Sequence, residues 1–389
     1  MKGNKHIWIL ILTAWCAAGC RKPYAPPVIT NNKSYLVVEG NIDSGSDSTI
    51  ITLSTTVNLN THDTTTFQSG AQVSVEAEGG VSMPLQEQQY QPGRYYAAAL
   101  NLDKTKKYRL HIVMPGNEYV SDYEGVKVNP PIDSVNYKIG SKGLQIFSNT
   151  HDPANNTRYY RWAYEEAWRF HSAFNSGLVV KNGAIVPRSS DEGIYYCYAG
   201  DRSSTIILAS SAKLTQDVIF ENPVILIPPN SEKLGIKYSI LLKQYALTKA
   251  GYDFWENIKK NTEQLGSIFD AQPSQLVGNI HSVTHPNETV IGYISVTNMQ
   301  SKRIYISSSA LPASWQPDYK GSCELDSALF QNPNSKQNDV KVLILEGPLI
   351  PITTILKDSY VVLGYTASTL DCVDCRLRGK TEAPPFWTE

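Results

Sequence analysis

The sequence predicts a mainly β protein: an N-terminal immunoglobulin-like or transthyretin-like β-sandwich, followed by a larger antiparallel β-sandwich domain with one inserted amphipathic helix. Three observations support this fold class. The chain of 389 residues contains 23 Tyr, seven Trp and nine Phe but only four Met, and aromatic and β-branched side chains favour the pleated surface of a sheet. Short alternating segments recur, and only one stretch has a clear helical period. The length favours two domains.

The region 34–130 is predicted to form the first sandwich. Several short strand segments within about a hundred residues are typical of this architecture. The clearest segments are 35–39, 49–53, 72–77 and 107–112. In the third of them, strict alternation places Val73, Val75 and Ala77 on one face, which we expect to be buried.

The run Asn129-Pro130-Pro131 interrupts this pattern and marks the predicted boundary to a larger β-rich domain, 131–389. Strands that lack regular intervening helices predict mainly antiparallel pairing there. The strand candidates are 133–137, 158–168, 205–208, 224–227, 237–245, 290–296, 303–306, 340–345 and 360–363.

One helix is predicted near 249–263 in this second domain. Thr248 is a suitable N-cap, and Gly266 is a suitable terminator. Ala250, Phe254 and Ile258 recur at fourfold spacing, so we expect the helix to lay this face on a sheet.

The first twenty residues have the pattern of a bacterial lipoprotein signal. Lys2 and Lys5 precede an apolar stretch too short to span a bilayer comfortably, and small residues lead directly to Cys20. We therefore expect 1–19 to be a signal peptide, Cys20 to carry the lipid, and 20–33 to be a proline-rich tether. The alternative is an ordinary cleaved signal peptide in which Cys20 is incidental.

Four cysteines remain after removal of the signal and lipidation of Cys20. An even number in an exported protein predicts structural disulfides, with three connectivities open among Cys197, Cys323, Cys372 and Cys375. The C-x-x-C spacing of the last two also leaves a redox site or a zinc site open. However, no helix can grow after this pair, and zinc sites favour two such knuckles.

The charge balance argues against a nucleic-acid-binding protein, and the absence of known catalytic motifs argues against an enzyme. The 35 Lys+Arg nearly balance the 36 Asp+Glu, whereas nucleic-acid binding requires a basic surface. The chain has no G-x-S-x-G elbow, Walker loop or H-E-x-x-H.

His281 and His285 are four apart, but Pro286 follows and the segment looks extended, which favours loop histidines over a metal site. Glu165 and Glu166 are adjacent on a strand and should point to opposite faces. We therefore expect no catalytic residue, no metal and no cofactor.

One aromatic row within 158–168 is the main candidate for contact with a ligand or partner. In an extended chain, Tyr160, Trp162 and Tyr164 share a face, and Trp168 continues it. Aromatic side chains beside Arg and Glu are suited to stack a flat ligand or anchor a protein partner. The alternative is a sandwich core, which the dominance of aromatic residues in core burial favours.

A series of different short motifs extends in a specific order over essentially the whole mature chain. They include Leu36-Val-Val-Glu-Gly40, Pro131-Ile-Asp-Ser-Val135, Asp152-Pro153, Tyr159-Tyr-Arg-Trp162, Lys243-Gln-Tyr-Ala-Leu-Thr248, Gly266-Ser-Ile-Phe-Asp270 and Cys372-Val-Asp-Cys-Arg376. With these motifs the chain resembles the domain-of-unknown-function family 4249, lipoproteins of Bacteroidota. The resemblance implies an outer-membrane lipoprotein, often encoded beside a TonB-dependent transporter, with no catalytic residue to carry over.

The first hypothesis is therefore a non-enzymatic accessory or binding subunit of a TonB-dependent transporter, held to the outer membrane by its N-terminal lipid. The alternatives are an envelope-associated hydrolase of glycan or peptide, and a purely structural or adhesive surface module. Arg21 and Lys22 are basic, whereas surface-exported lipoproteins of this phylum often carry acidic residues after the lipidated cysteine. The cell surface and the periplasmic face both stay open.

Overall fold

Strands dominate the chain, which confirms the predicted fold class. The computed structural model describes residues 34–57, 65–263, 278–317 and 323–388. The predicted signal peptide, the tether with Cys20, and Gly266 lie outside these ranges.

The strands are β1 (Leu36–Asp43), β2 (Thr49–Thr55), β3 (Thr66–Phe67), β4 (Gln72–Ala77), β5 (Ser82–Glu87), β6 (Arg94–Ala97), β7 (Lys107–Met114), β8 (Asn117–Ser121), β9 (Glu124–Gly125), β10 (Ile132–Gly140), β11 (Gly143–Asp152), β12 (Tyr159–His171), β13 (Leu178–Lys181), β14 (Ala184–Pro187), β15 (Tyr196–Arg202), β16 (Ile207–Ser210), β17 (Asp217–Ile227), β18 (Lys237–Ala246), β19 (Ile280–Ser282), β20 (Val290–Ile291), β21 (Val296–Thr297), β22 (Gln300–Ser307), β23 (Asp326–Leu329), β24 (Ile350–Lys357) and β25 (Val361–Ser368). The α-helices are α1 (Lys249–Glu263) and α2 (Leu370–Val373), and a π-helix spans Val340–Leu345.

The first sandwich buries the face that alternation predicts. Val73, Val75 and Ala77 on β4 are buried, and the residues between them are partly exposed. Leu110 and Ile112 on β7 lie beside them in the same apolar cluster. The hydrogen-bonded order is β8-β7-β4-β5-β6-β2-β1, with β3 on β2 and β9 on β7.

Three strands from much later in the chain complete this first sheet. β19 pairs antiparallel with β8, and β20 and β21 pair parallel with β1. Ile280, Val290 and Val296 enter the apolar cluster of the first sandwich. Without these strands, the backbone groups along the edge of β1 would lack partners. The segment 280–297, which we expected in the larger domain 131–389, therefore pairs with the first sandwich instead.

Gly292 interrupts the single strand predicted over 290–296. Its φ is +153°, and a Cβ at this position would lie 2.3 Å from the carbonyl oxygen of Val38. The backbone can approach β1 this closely only without a side chain. The predicted strand is therefore split into β20 and β21.

The second sandwich consists of two antiparallel sheets, as predicted for this region. One has the order β10-β11-β17, and the other has the order β15-β12-β18-β22 with β16 also paired to β12. Apolar residues from both sheets form one cluster between them, including Leu144, Ile146, Ile240 and Leu242. The outer face of the second sheet is the one that carries the candidate site.

Helix α1 spans the predicted residues and begins at the predicted cap. The Thr248 hydroxyl accepts a hydrogen bond from the Gly251 amide at 3.1 Å. Gly251 and Phe254 are buried and lie against the Tyr293 ring, and the helix also contacts β12 and β16, whereas Ala250 is exposed. The predicted contact face was therefore wrong by one position at Ala250. In the described part of the chain, no helix has the length and apolar character of a membrane span.

The C-terminal sheet has the order β23-β25-β24 and differs from the prediction in one element. The segment 340–345, expected to be a strand, is the π-helix that packs against this sheet. Its buried residues, Val340 and Ile344, are four apart. A short apolar run alone does not distinguish a strand from a helix, which explains the error.

Candidate functional site

A row of small side chains crosses the outer face of the sheet β15-β12-β18-β22. Gly200 on β15 lies opposite Ala167 on β12, and Ala167 lies opposite Ser239 on β18. Cross-strand partners point to the same side of a sheet, so this row forms a trough. Tyr305 on β22 stands at the end of the row.

The C-terminal strap (residues 378–388) passes over this trough and is fastened at both sides. Lys380 and Tyr198 exchange two backbone hydrogen bonds, of 2.7 and 2.9 Å. At the opposite side, the Tyr305 hydroxyl donates to the carbonyl oxygen of Phe386 at 2.6 Å. The strap therefore bridges β15 and β22, the two outer strands of the sheet.

Ring contacts and one glycine set how closely the strap approaches. The ring of Trp387 lies 5.2 Å from that of Tyr198 and 6.1 Å from that of Tyr305, both nearly perpendicular. A Cβ on Gly379 would lie 2.5 Å from the Tyr198 carbonyl oxygen and 2.9 Å from the Phe170 ring. Only glycine permits this approach at the start of the strap.

A cleft of about 790 Å³ lies between the strap and the trough. This volume is within the roughly 300–1,000 Å³ range of small-molecule sites. Its lining residues are Glu165, Glu166, Ala167, Tyr198, Ala199, Gly200, Asp201, Arg202, Arg303, Arg378, Gly379, Lys380, Glu382, Ala383, Pro384, Pro385 and Phe386.

Glu165 is the carboxylate on the floor of the cleft, and basic side chains surround it. Lys243 donates to it at 2.7 Å, and Arg202 lies 4.0 Å away. Partial burial opposes its ionisation, but the Lys243 hydrogen bond and the charges of Lys243, Arg202 and Arg303 outweigh this effect and lower the pKa of Glu165. Glu165 is therefore an ionised, paired group and is not poised as a proton donor near neutral pH.

Arg303 is a partly buried cation in the lining of the cleft. Its guanidinium carbon lies 3.6 Å from the centroid of the Phe386 ring. Its Nη1 donates to the Ser239 hydroxyl at 3.1 Å. Desolvation lowers its pKa, and within the described residues its guanidinium forms no ion pair with a carboxylate.

Glu166 lies on the opposite face of β12, as the strand period predicts. It is 5% exposed, forms an ion pair with Lys233, and accepts a hydrogen bond from the Tyr238 hydroxyl at 2.7 Å. Burial and the nearby Glu166 carboxylate raise the pKa of Tyr238. Glu165 and Glu166 therefore do not face each other as an acid–base pair would.

The aromatic row predicted for ligand contact lies mostly in the core of the second sandwich. Tyr160 and Trp162 are 0% and 1% exposed, and Tyr164 is also buried. The ligand or partner contact proposed for these three residues is therefore wrong, because their face of β12 is covered by the sheet β10-β11-β17. Trp168 is half-buried, with the Lys233 ammonium 5.0 Å from its ring, and its role in contact stays a prediction.

The four cysteines of the described chain form two disulfides, which confirms the predicted structural role. The pairs are Cys197–Cys375 and Cys323–Cys372, each with a Cα–Cα distance of 5.7 Å. Sequence reasoning left three connectivities open, and the structure selects this one. Both bonds hold the segment 370–377, which immediately precedes the strap.

The two histidines considered as metal ligands have other contacts. His281 lies 3.0 Å from a carboxylate oxygen of Asp122, and the amide of His285 donates to the Ser282 hydroxyl. Across the four described ranges, no three His, Cys, Asp or Glu side chains are grouped closely enough to hold a metal ion.

Sequence reasoning did not find the cleft. Arg303 and the row of small residues belong to strands whose pairing is not readable from one sequence. The run Pro384-Pro385-Phe386-Trp387 was the one local signal, because two prolines cannot continue a helix or a central strand and two aromatics follow them.

Two comparisons with known proteins bear on this chain. The family described as "Domain of unknown function (DUF4249)" matches residues 21–303. No curated protein matches the chain. The matched region includes the first sandwich and the second sandwich as far as Arg303 in β22, whereas the strap and the C-terminal sheet lie beyond it.

Proposed function

The chain belongs to the family Domain of unknown function (DUF4249), and from this premise we propose that it is a lipid-anchored outer-membrane lipoprotein. It serves as a non-enzymatic accessory or binding subunit of a TonB-dependent transporter. The cleft under the strap is its ligand site, and the lipid on Cys20 keeps that site at the membrane surface.

The observation that carries this proposal is a cleft of ligand size whose floor is arranged for binding. Glu165 is held by Lys243 and Arg202, and Glu166 is turned into the core against Lys233. A hydrolase of glycan or peptide requires a free acid and base, or a nucleophile beside a base, that converge on one point. Paired acids, an enclosed arginine and aromatic rings are better suited to hold a molecule.

The anchor is tested by fatty-acid labelling of the full chain in cells. Cys20→Ser should remove the label and release the protein from the membrane fraction, because the acyl chains supply the membrane affinity. Cys16 lies within the predicted signal peptide, so Cys16→Ser is the matched control, and this variant should keep the label. An unlabelled wild-type chain in the soluble fraction would refute the anchor.

The partner is tested by recovering the native lipidated chain from outer membranes in mild detergent. We expect a TonB-dependent transporter to co-purify in near-equal amount, and an unrelated tagged lipoprotein from the same membranes to bring down none. Recovery of the chain without any transporter contradicts the accessory role.

The non-enzymatic assignment has a separate test. Purified protein is incubated with envelope glycan and with envelope peptide, and released fragments are measured by mass spectrometry. We expect none above a boiled control. Release that depends on Glu165, shown by its loss in Glu165→Gln, would favour the hydrolase instead.

A further inference from the structure

Among the described residues, the cleft contains a cation, Arg303, that forms no direct ion pair with a carboxylate. The Arg303 guanidinium is partly buried on β22, and its one side-chain hydrogen bond within the described residues goes to the neutral Ser239 hydroxyl. An arginine has five N–H donors in a planar fork. A partly buried guanidinium with unused donors is suited to bind a planar anion such as a carboxylate.

The charges next to Arg303 do not supply this anion. The register places Arg303, Leu241, Glu165 and Arg202 in one row across four strands. Glu165 in this row already accepts from Lys243 at 2.7 Å. The three cations Lys243, Arg202 and Arg303 therefore surround the single carboxylate of Glu165, so the floor of the cleft has a net positive charge.

The remaining charged residues of the cleft do not reverse this excess. Arg378 forms an ion pair with Glu232 outside the lining. Asp201 and Glu382 are exposed side chains, and a carboxylate oxygen of Asp201 accepts from the Arg202 amide at 2.8 Å. Lys380 adds a further cation.

The roof over Arg303 is apolar and flat. The Phe386 ring covers the guanidinium, and the strap brings Pro384 and Pro385 to the same side of the cleft. Tyr198 forms part of the opposite wall. An apolar group placed next to the anion would pack against these rings and displace water.

We propose that the cleft binds an organic anion in which a carboxylate is joined to an apolar or aromatic group, with Arg303 holding the carboxylate. This inference rests on the proposed role of the cleft as the ligand site. It adds the chemical class of the ligand and the residue that selects it.

The test compares two probes of nearly the same shape, 2-naphthoate and its neutral amide 2-naphthamide. Binding to the full mature chain is measured by titration calorimetry and by the change in tryptophan fluorescence, to which Trp387 of the strap contributes. We expect 2-naphthoate to bind at least about tenfold more tightly, the order expected for a charge-assisted bidentate contact.

Three variants assign the preference to Arg303. Arg303→Met should reduce 2-naphthoate binding to the level of 2-naphthamide while leaving 2-naphthamide binding within about twofold, which also shows that the cleft is intact. Arg303→Lys should keep part of the preference, because it retains the charge but not the planar fork. Arg109→Met is the matched control, since Arg109 also stacks on an aromatic ring, that of Tyr123, but lies on β7 in the first sandwich. It should bind both probes as the wild type does.

Each contrary outcome has its own meaning. Equal affinity of the wild type for both probes overturns the anion inference and leaves a cleft that binds neutral ligands. An equal loss of preference in Arg109→Met shows a general charge effect and overturns the assignment to Arg303. Binding of neither probe overturns both this inference and the role of the cleft as ligand site, whereas transporter co-purification is decided separately.

Discussion

The two sandwiches bury different kinds of side chain between their sheets. The first is filled mainly by aliphatic residues such as Ile51, Leu53 and Leu110. Among its buried tyrosines, Tyr95 places its hydroxyl on backbone groups, donating to the carbonyl oxygen of Gln68 and accepting from the amide of Ala71.

The second sandwich instead places aromatic side chains against buried polar ones. The indole of Trp162 donates to the side-chain oxygen of Gln244 at 3.0 Å, and Gln244 is fully buried. Tyr160 donates to the buried carboxylate of Asp217, and Tyr238 donates to Glu166. A core of this kind fixes the relative position of its two sheets, but each partner that is removed leaves a buried polar atom unsatisfied.

The largest expected difference between the cores comes from truncating one central side chain in each. Trp162→Ala should lower the free energy of unfolding by about 5 kcal/mol, from a large cavity and an unpaired Gln244 oxygen. Leu110→Ala in the first sandwich should cost only about 3 kcal/mol, because it leaves a cavity alone. Denaturant unfolding followed by circular dichroism measures both. A smaller loss for Trp162→Ala than for Leu110→Ala would contradict this account of the two cores.

The disulfides provide the next largest effect, and it should be confined to the second half of the molecule. The described cysteines all lie at or beyond Cys197. Replacing both members of either pair with alanine should cost about 2–5 kcal/mol. The pairs span 178 and 49 residues, so the chain-entropy model predicts a loss about 1 kcal/mol larger for Cys197–Cys375.

Limited proteolysis with and without reductant locates that effect. We expect new cleavage near the strap after reduction, because both bonds hold the segment before it, and no change within β1 to β9. Equal sensitivity of the first sandwich to reduction would show that the two sandwiches unfold together.

Alkaline pH should weaken both sandwiches, because each contains buried tyrosines with raised pKa values; Tyr119 in the first and Tyr164 in the second define one common pH window. Burial, aided by the hydrogen bond to Glu288, raises the pKa of Tyr119 to about 12. Burial, aided by the charges of Glu166 and Asp201, also raises the pKa of Tyr164 to about 12. Because the folded pKa lies above the unfolded value of about 10, the stabilisation is complete below pH 10 and is lost as the pH rises to 12.

Each tyrosine should contribute roughly 3 kcal/mol by this linkage. Tyr119→Phe and Tyr164→Phe should each flatten the fall in stability between pH 10 and 12, as measured by denaturant unfolding, and phenolate absorbance should follow the same range. Loss of stability that is complete at pH 9 would contradict the shifts.

Local patterns in the sequence predicted local structure well and long-range pairing poorly. The alternation of apolar and polar residues identified the buried face of β4. The N-cap Thr248 and the helical spacing of the apolar residues after it identified α1, because capping and periodicity act within a few residues. The return of 280–297 to β1 depends on an edge that forms more than two hundred residues earlier. The opposing sheet determines which face of β12 is covered. The sequence alone therefore could not decide whether Trp162 is a core residue or a contact for a ligand or partner. The cleft joins Arg303 to Phe386 only after the strap has folded back.

The smallest effect concerns the junction between the sandwiches at the start of α1. Thr248 caps the helix, and its hydroxyl also lies 3.0 Å from that of Tyr293, which donates to Glu124 of the first sandwich at 2.6 Å. Thr248→Ala should cost about 1 kcal/mol, the usual value of an N-cap. Thr262→Ala, in the last turn of the same helix, is the matched control and should change stability by less than about 0.5 kcal/mol, because its exposed hydroxyl bonds only to the carbonyl of Ile258. Thermal unfolding compares the two, and equal effects would show that the cap at Thr248 does not hold the helix start against the first sandwich.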